Sequence, residues 1–446
     1  MARTAAFCNL GCKVNAYETE AMEEILAEAG YRIVPFETAA DVYVVNTCSV
    51  TNIADRKSRQ MLHRARRRNP DAVIVAAGCY VQTHEEDDTP ADLIIGNSHK
   101  KEIASLLAGY FRERNVSHAD RGISRDYEEL EIHTPEEHTR AFIKIQDGCS
   151  QFCSYCVIPY ARGRVRSRRP DLVVSEVKRL SGMGYREVVL TGIHLSSYGT
   201  DFDEKQSSPG AALLALVKEI SKVPGISRIR LGSLEPRIIT AGFAEELAEI
   251  PEVCPHFHLS LQSGCGRTLK AMNRHYTPEE YRASCGLIRE KWPQAAVTTD
   301  VIVGFPGETD EDFEESVRFI ESIRFFETHV FKYSVRQGTR AASFPEQLPE
   351  SVKESRSRVL LELNDRNRRK YLESFLHGRI ELLLEEETES DGKRYMTGHS
   401  REYIHAAVPC EEGGRSLSKG SIITAEPVGF LNSEMLVCNI CRSILK

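Results

Sequence analysis

Short apolar runs at residues 2–8, 42–46 and 72–77 alternate with helix-like segments at 17–29, 52–68 and 99–111. Strands separated by helices of this length pair in parallel, so the alternation predicts a parallel sheet wrapped by helices. The pattern resumes with apolar runs near 142–145, 187–190, 227–231, 256–261, 296–303 and 327–333, separated by helical segments near 170–182, 210–222, 240–249, 277–291 and 309–322. Six such repeats predict a partial (β/α)6 barrel whose reactive face is built from the loops after the strands. Farther on the period changes: runs at 379–385, 394–397, 403–408, 421–430 and 434–438, spaced by Gly and Asp turns, predict a small all-β barrel. The chain therefore reads as an α/β protein with an N-terminal parallel α/β domain (1–115), a polar linker (116–139), a central partial barrel (140–370) and a C-terminal β-barrel (371–442). Its 446 residues leave room for about three domains, each with its own core.

Cysteines punctuate this frame. Each apolar run of the first domain ends in a turn that carries one: Leu10-Gly11-Cys12, Asn46-Thr47-Cys48 and Gly78-Cys79. Ligands bind at that edge of an open parallel sheet, so Cys12, Cys48 and Cys79 are expected on one rim as a three-thiolate site. The competing reading, buried core thiols, must explain three coincidences at once. Cys8 falls within a predicted strand and is expected in the core.

A second set, Cys149, Cys153 and Cys156, stands in C-x3-C-x2-C spacing directly after the first strand of the predicted barrel. Three thiolates can hold three irons of a cubane and leave the fourth iron open to a ligand. A structural zinc site is the alternative, but it wants a fourth ligand, and no partner pair sits close by. Cys254, Cys265 and Cys285 are expected to be packing thiols, and Cys438 with Cys441 forms a lone C-x-x-C that carries no assignment.

Hydrophobic content of 41%, charged content of 28% and a net charge of -7 carry no acidic or basic extreme, so any nucleic-acid surface must be a local patch. One candidate is the face of the 52–68 helix bearing Lys57, Arg64 and Arg68, where a solvated basic face is the plainer alternative. Another is Arg162, Arg164, Arg166 and Arg168, with Arg169, whose every-second-residue spacing would aim an extended segment's cations at an anionic macromolecule. Residues Met1 to Asn15 lack the basic-then-apolar pattern of a secretion signal, and no apolar stretch reaches membrane-spanning length. A cytoplasmic protein with no membrane partner is expected, in which thirteen cysteines serve as metal ligands and core residues rather than disulfides.

The 149–156 stretch, with aromatic Tyr155 before the last cysteine, resembles the radical S-adenosylmethionine superfamily. The turns Gly11-Cys12-Lys13-Val14-Asn15-Ala16-Tyr17-Glu18-Thr19-Glu20, Asn46-Thr47-Cys48-Ser49-Val50-Thr51 and Gly78-Cys79-Tyr80 look like the N-terminal domain of the methylthiotransferases. Ile158 to Gly163 with Arg166-Ser167-Arg168 are similar to the branch acting on N6-threonylcarbamoyladenosine in tRNA. The resemblance implies two 4Fe-4S clusters, one on Cys149, Cys153 and Cys156 and an auxiliary sulfur-carrying one on Cys12, Cys48 and Cys79. It implies S-adenosylmethionine as cofactor, with Tyr155 beside the cluster loop and Gly192 and Gln262 on strand-end loops as its contacts. His194, beside that loop, is either a proton relay or a neutral, satisfied histidine.

Position and length make the C-terminal barrel similar to a tRNA-gripping TRAM domain, against which stands a purely stabilising module with a phosphate-repelling Glu385 to Glu389 run. The implied partners are the anticodon stem-loop of tRNA and an electron donor such as a flavodoxin or ferredoxin. The implied reaction is radical C2 methylthiolation of threonylcarbamoyladenosine 37. Its alternatives are isopentenyladenosine in tRNA, an aspartate of a ribosomal protein, or a non-catalytic RNA-binding iron-sulfur protein. Cys265 stands where the family more often has serine, a departure that touches no expected ligand.

Overall fold

A computed structural model describes residues 2–84, 89–113, 117–118, 122–133, 139–202, 210–410 and 417–441. The N-terminal sheet contains β1 (Thr4–Asn9), β2 (Arg32–Val34), β3 (Val42–Thr47), β4 (Val73–Gly78), β5 (Leu93–Ile95) and β6 (Ser117–His118), in the order β2-β1-β3-β4-β5-β6. Every pairing in it is parallel. β3 and β4 are buried at every position, as helices on both faces require, and so read as continuous apolar runs rather than alternating ones.

The central domain supplies β7 (Arg140–Asp147), β8 (Arg166–Ser167), β9 (Glu187–Gly192), β10 (Arg228–Leu231), β11 (His256–His258), β12 (Ala296–Val303) and β13 (Glu327–Lys332). β8 is a short antiparallel addition to β7. The other six form two parallel sets, β10-β9-β7 and β11-β12-β13, joined by single bridges between Ile229 and Val253 and between Leu234 and Leu259. This is the expected open six-stranded barrel. Residues such as Val188, Leu190, Ile229, Leu231, Val297 and Val301 turn outward into the main apolar core.

The last domain closes β14 (Ile380–Ser390), β15 (Lys393–Ser400), β16 (His405–Pro409), β17 (Ile422–Phe430) and β18 (Leu436–Ile440) into the expected barrel. It docks against the N-terminal ends of the central strands, where Arg228 Nη2 donates to Glu381 O (2.8 Å) and Arg230 Nη1 to Arg401 O (3.0 Å). Tyr403 enters that end stacked between His256 (4.7 Å) and His399 (4.6 Å), so the central barrel is stoppered opposite its strand-end loops. The expected border at 370/371 falls in the last turn of the helix Glu350–Glu373, whose Leu372 shares the C-terminal core with Phe375. Residue 442, the expected end of this domain, lies outside the described residues.

Of the expected linker, residues 122–133 lie packed against the body. Leu130 and Ile132 are buried with Tyr17 and Ala21, and Tyr127 Oη donates to Lys144 O (2.7 Å). Its remaining residues, apart from 117–118 and 139, lie outside the described set.

Candidate active site

β1, β3 and β4 are neighbours in the sheet, so the turns that follow them lie side by side at one edge. At about 4.8 Å between adjacent strands, Cys12, Cys48 and Cys79 come from strand ends spanning roughly 10 Å. Gly11 brings the first two turns together. With φ of 115° it occupies a region side chains rarely adopt, and a Cβ built there would lie 3.1 Å from the Cys48 sulfur. Asn15 stitches these turns with bonds from Nδ2 to Leu10 O (2.9 Å) and Thr47 O (3.0 Å), while Asn97 Nδ2 reaches Cys79 Sγ (3.7 Å).

Burial pushes the Cys48 thiol up to about 11; Cys79 and Cys12 push the same way, against Arg162. Metal loading at Cys48 would therefore have to displace a proton that burial holds on its sulfur. Cys8 stands apart: the charged groups near it are Lys57, Glu37 and Arg64, and it packs at the edge of the sheet core.

The arginine ladder corrects a sequence expectation. Arg162, Arg166 and Arg168 are buried and ion-paired inside the protein, leaving only Arg164 and Arg169 exposed to solvent. Arg162 donates to Glu18 Oε1 (2.8 Å), Asp147 Oδ1 (3.0 Å) and Asn15 Oδ1 (2.8 Å), and Arg168 pairs with Glu176 and Glu129. The run is not one extended strand: Arg162 ends the helix Ile158–Arg162, strand covers only Arg166–Ser167, and Arg164 between them turns to solvent. Arg162 and Arg166 face the seam between the two domains, where with Lys100 and Lys144 they share the carboxylates of Glu18 and Asp147. The surplus positive charge lies beside Cys12, Cys48 and Cys79 and suits an anionic, thiolate-bound group there.

Cys149, Cys153 and Cys156 follow β7 in a loop pinned from several sides. Cys149 N donates to Gly163 O (2.9 Å), Ser154 N to Met272 O (2.9 Å), and Ala341 N to Ser154 O (2.7 Å). Burial pushes the Cys149 thiol up to about 11 and the Cys156 thiol up to about 12. Arg274 Nη1 donates to Cys153 Sγ (3.2 Å), a sulfur-directed cation that sequence spacing gave no reason to single out.

All three cysteines line a cavity of about 270 Å³ at the C-terminal ends of the strands. Tyr155 and Gln262 line it too. Gly192 does not lie on its wall: a Cβ there would meet the Gln146 side chain at 2.9 Å, and Gln146 Oε1 accepts from His194 N (2.7 Å). Glu235, Asp300 and Lys332, which no sequence pattern singled out, also line the cavity. His194 is satisfied, by Ser197 Oγ at 2.7 Å and Glu235 Oε2 at 3.1 Å. Burial opposes the charge on Glu235, but His194 and Arg237 hold its carboxyl at about 2.

The N-terminal domain completes the cavity wall with Val50 and Thr51, which follow Cys48. This loop is clamped to the barrel: Arg336 donates to Ser49 Oγ (2.7 Å) and Asn52 Oδ1 (2.8 Å), and Ser334 Oγ accepts from Asn52 N (3.0 Å). On the other side, Asn97, already at Cys79, donates to Ala161 O (2.9 Å). The turn after Cys48 therefore forms part of the cavity mouth, whose wall carries Cys149, Cys153 and Cys156; Cys12, Cys48 and Cys79 themselves do not line it. Val50 and Phe331 on the cavity wall, and Ile53, Phe152 and Tyr160 on segments adjoining it in the chain, are exposed apolar side chains, with Arg164 5.6 Å over the Phe152 ring.

Residues 143–320 match the radical SAM superfamily and residues 4–96 the Uncharacterized protein family UPF0004. A solved radical S-adenosylmethionine methyltransferase, TsrM from Kitasatospora setae, shares the fold with a TM-score of 0.55 at 18% identity, over 77% of each chain. Fold and match together make this a radical S-adenosylmethionine enzyme. The Bacillus subtilis (strain 168) protein named threonylcarbamoyladenosine tRNA methylthiotransferase MtaB is 40% identical over 90% of this chain and 89% of its own. Its namesake from Aquifex aeolicus (strain VF5) is 40% identical over 88% and 95%. The chain belongs to the MtaB family of methylthiotransferases.

Proposed function

We propose that this protein converts N6-threonylcarbamoyladenosine at position 37 of tRNA to its 2-methylthio derivative. The observation that carries the reading is a cavity lined by Cys149, Cys153 and Cys156 whose wall is completed by the turn after Cys48, together with the named relatives. The C2–H of adenine is unactivated, so a side-chain base cannot remove it and a radical source is required, with a sulfur donor close by. Cys149, Cys153 and Cys156 would hold one 4Fe-4S cluster, and Cys12, Cys48 and Cys79 the other. Each triad offers three soft thiolates, which suits iron-sulfur ligation with one iron left free. When bound, the clusters and S-adenosylmethionine supply the adenosyl radical and the methylsulfide.

The protein's own groups bind and orient. Tyr155 and Gln262 would contact S-adenosylmethionine, and Glu235 and Asp300 offer carboxylates to its cationic groups. Arg274 steadies the Cys153 sulfur, while Val157, Ile158, Ile193, Leu234 and Ile302 keep the wall apolar. The Tyr403 stopper leaves the strand-end mouth as the route for a nucleotide. The C-terminal barrel acts as a TRAM-like module on the anticodon stem-loop, and a flavodoxin or ferredoxin delivers the electron. No described helix is long and apolar enough to cross a membrane, and the work is assigned to the cytoplasm, where tRNA resides.

Mass spectrometry of tRNA nucleosides from cells with and without the gene tests the reading. The 2-methylthio form of threonylcarbamoyladenosine should disappear on deletion and return with the intact gene. Loss of the isopentenyl derivative, or of a methylthiolated aspartate in a ribosomal protein, would replace the assignment.

Tyr160, edge-on to Phe152 at 6.1 Å and half exposed, is placed to stack on a loop base. Stacking is worth ~1–3 kcal/mol per base, so Tyr160→Ala should raise KM for tRNA between severalfold and about a hundredfold. Cleavage of S-adenosylmethionine without tRNA should stay unchanged, and an unaltered KM would remove Tyr160 from the interface.

A further inference from the structure

A second cleft, of about 380 Å³, lies away from the mouth and is lined by Glu321, Arg324, Arg366, Asn367, Lys370 and Tyr371. Arg366 and Lys370 are four positions apart on the helix Glu350–Glu373 and share a face, while Arg324 ends the helix Asp310–Ile323 across from them. Among the described residues none of these three cations makes an ion pair, although Arg356, Arg368 and Arg369 on the same long helix all find carboxylates. Three cations face one carboxylate, that of exposed Glu321.

Asn367 supplies an independent sign. It is 8% exposed, lines the cleft, and its Nδ2 has no acceptor. A buried amide donor left unpaired costs ~1–3 kcal/mol, which an oxygen of a bound ligand would recover. Unpaired cations and a buried donor without an acceptor together describe an oxyanion site.

We propose that this cleft binds a backbone phosphate of the tRNA, a proposal that rests on the reading of tRNA as substrate. The long helix sets the distance. Lys353 near its start donates to Tyr333 O (3.0 Å), and Tyr333 lines the main cavity. From Lys353 to Lys370 the helix rises about 25 Å at 1.5 Å per residue. A stem lying back along this helix toward the C-terminal barrel, from a loop whose base enters the cavity, carries phosphates at that range. Tyr371, whose Oη donates to Gln294 O (2.7 Å), also packs on Phe326 and Phe375, so the cleft sits where the C-terminal barrel joins the central one.

The test is equilibrium binding of a full-length tRNA transcript to the cluster-loaded protein across a salt series. The wild type is compared with Arg366→Ala/Lys370→Ala, with the charge-keeping Arg366→Lys/Lys370→Arg, and with Asn367→Leu. Near 0.15 M salt the alanine pair should bind roughly tenfold more weakly. Its slope of log K against log salt should be shallower by about 0.7–0.9, the change expected when one phosphate is no longer neutralised. The charge-keeping pair should retain the wild-type slope, and Asn367→Leu should bind severalfold more weakly. Cleavage of S-adenosylmethionine without RNA, and the melting midpoint of the alanine pair, should match the wild type. Wild-type slope and affinity in the alanine pair would overturn the site even if inorganic phosphate binds there, since that result marks a free-anion site. Failure of the wild type to bind tRNA would instead overturn the substrate reading, and this proposal with it.

Discussion

Replacing Cys12, Cys48 and Cys79 together by alanine should leave reductive cleavage of S-adenosylmethionine to 5′-deoxyadenosine intact while methylthiolated tRNA falls at least about a thousandfold, equivalent to ~4 kcal/mol of barrier. Replacing Cys149, Cys153 and Cys156 should abolish both. The asymmetry follows from where the triads stand. The first occupies turns at the edge of a sheet whose parallel ladder runs through β1, β3 and β4 and does not depend on the cysteine side chains. The second lies in a barrel loop held by backbone bonds from Cys149, Ser154 and Ala341. Neither triad shapes the other's scaffold, so iron per chain should fall by about half in each variant, as equal clusters at separate sites demand. Chromatography of the nucleosides and of 5′-deoxyadenosine from one reaction reads both outcomes. Product formed without the first triad would sink its role as sulfur donor; loss of cofactor cleavage in that variant would show that the two sites are not independent.

The shared rim of Cys12, Cys48 and Cys79 was legible because its signal is topological: a cysteine just beyond each of three apolar runs has few places to go once those runs pair in parallel. That Cys149, Cys153 and Cys156 share one loop after a barrel strand followed from their spacing. The six central strands and the closed C-terminal barrel likewise followed from a period that changes once along the chain. What sequence periodicity does not carry is the identity of a partner far along the chain. Arg162 meets Glu18 from 144 positions away, and Arg336 meets Ser49 from 287, so three arginines of a run that looked like an RNA surface, Arg162, Arg166 and Arg168, are buried in internal ion pairs. Composition misled in the same way over 122–133, where polar neighbours masked Tyr127, Leu130 and Ile132, the side chains that dock. Arg274 lacked any signal, because a cation that serves a sulfur 121 positions away follows no local rule. Gly192 shows the converse: a glycine after a strand admits close approach, and the group that approaches is Gln146.

The seam between the two domains makes the largest stability prediction. Glu18 is fully buried and accepts from Arg162 (2.8 Å), Lys100 (2.8 Å) and Lys144 (2.7 Å), which come from both domains. Removing one partner of a buried ion cluster strands the others without compensation and typically costs about 3–5 kcal/mol. Glu18→Gln keeps the shape and deletes the charge, leaving Lys144, Arg162 and Arg166 to share Asp147 and leaving Lys100 with Asn97 Oδ1 (2.7 Å) in place of an ion pair. The denaturation midpoint should fall accordingly. Because Arg162 also bonds Asn15, which stitches the Cys12 and Cys48 turns, methylthiolation should drop more than cleavage of S-adenosylmethionine.

The pH dependence has a definite sign. Burial opposes the charge on Glu18, but Arg162, Lys100 and Lys144 prevail and hold its carboxyl well below the ordinary carboxylate range; Lys144 and Arg162 do the same for Asp147. A carboxylate depressed in the folded state contributes its full stability above its unfolded value of about 4 and loses it as pH falls through the folded value. The wild type should therefore lose stability steeply below pH ~4, and Glu18→Gln, with one such group fewer, should show a shallower acid limb. Chemical denaturation of both proteins at pH 7 and at steps below pH 4 reads the two effects. A Gln variant within about 0.5 kcal/mol of the wild type at neutral pH would mean that the seam is held by packing alone, since ordinary surface substitutions fall in that range.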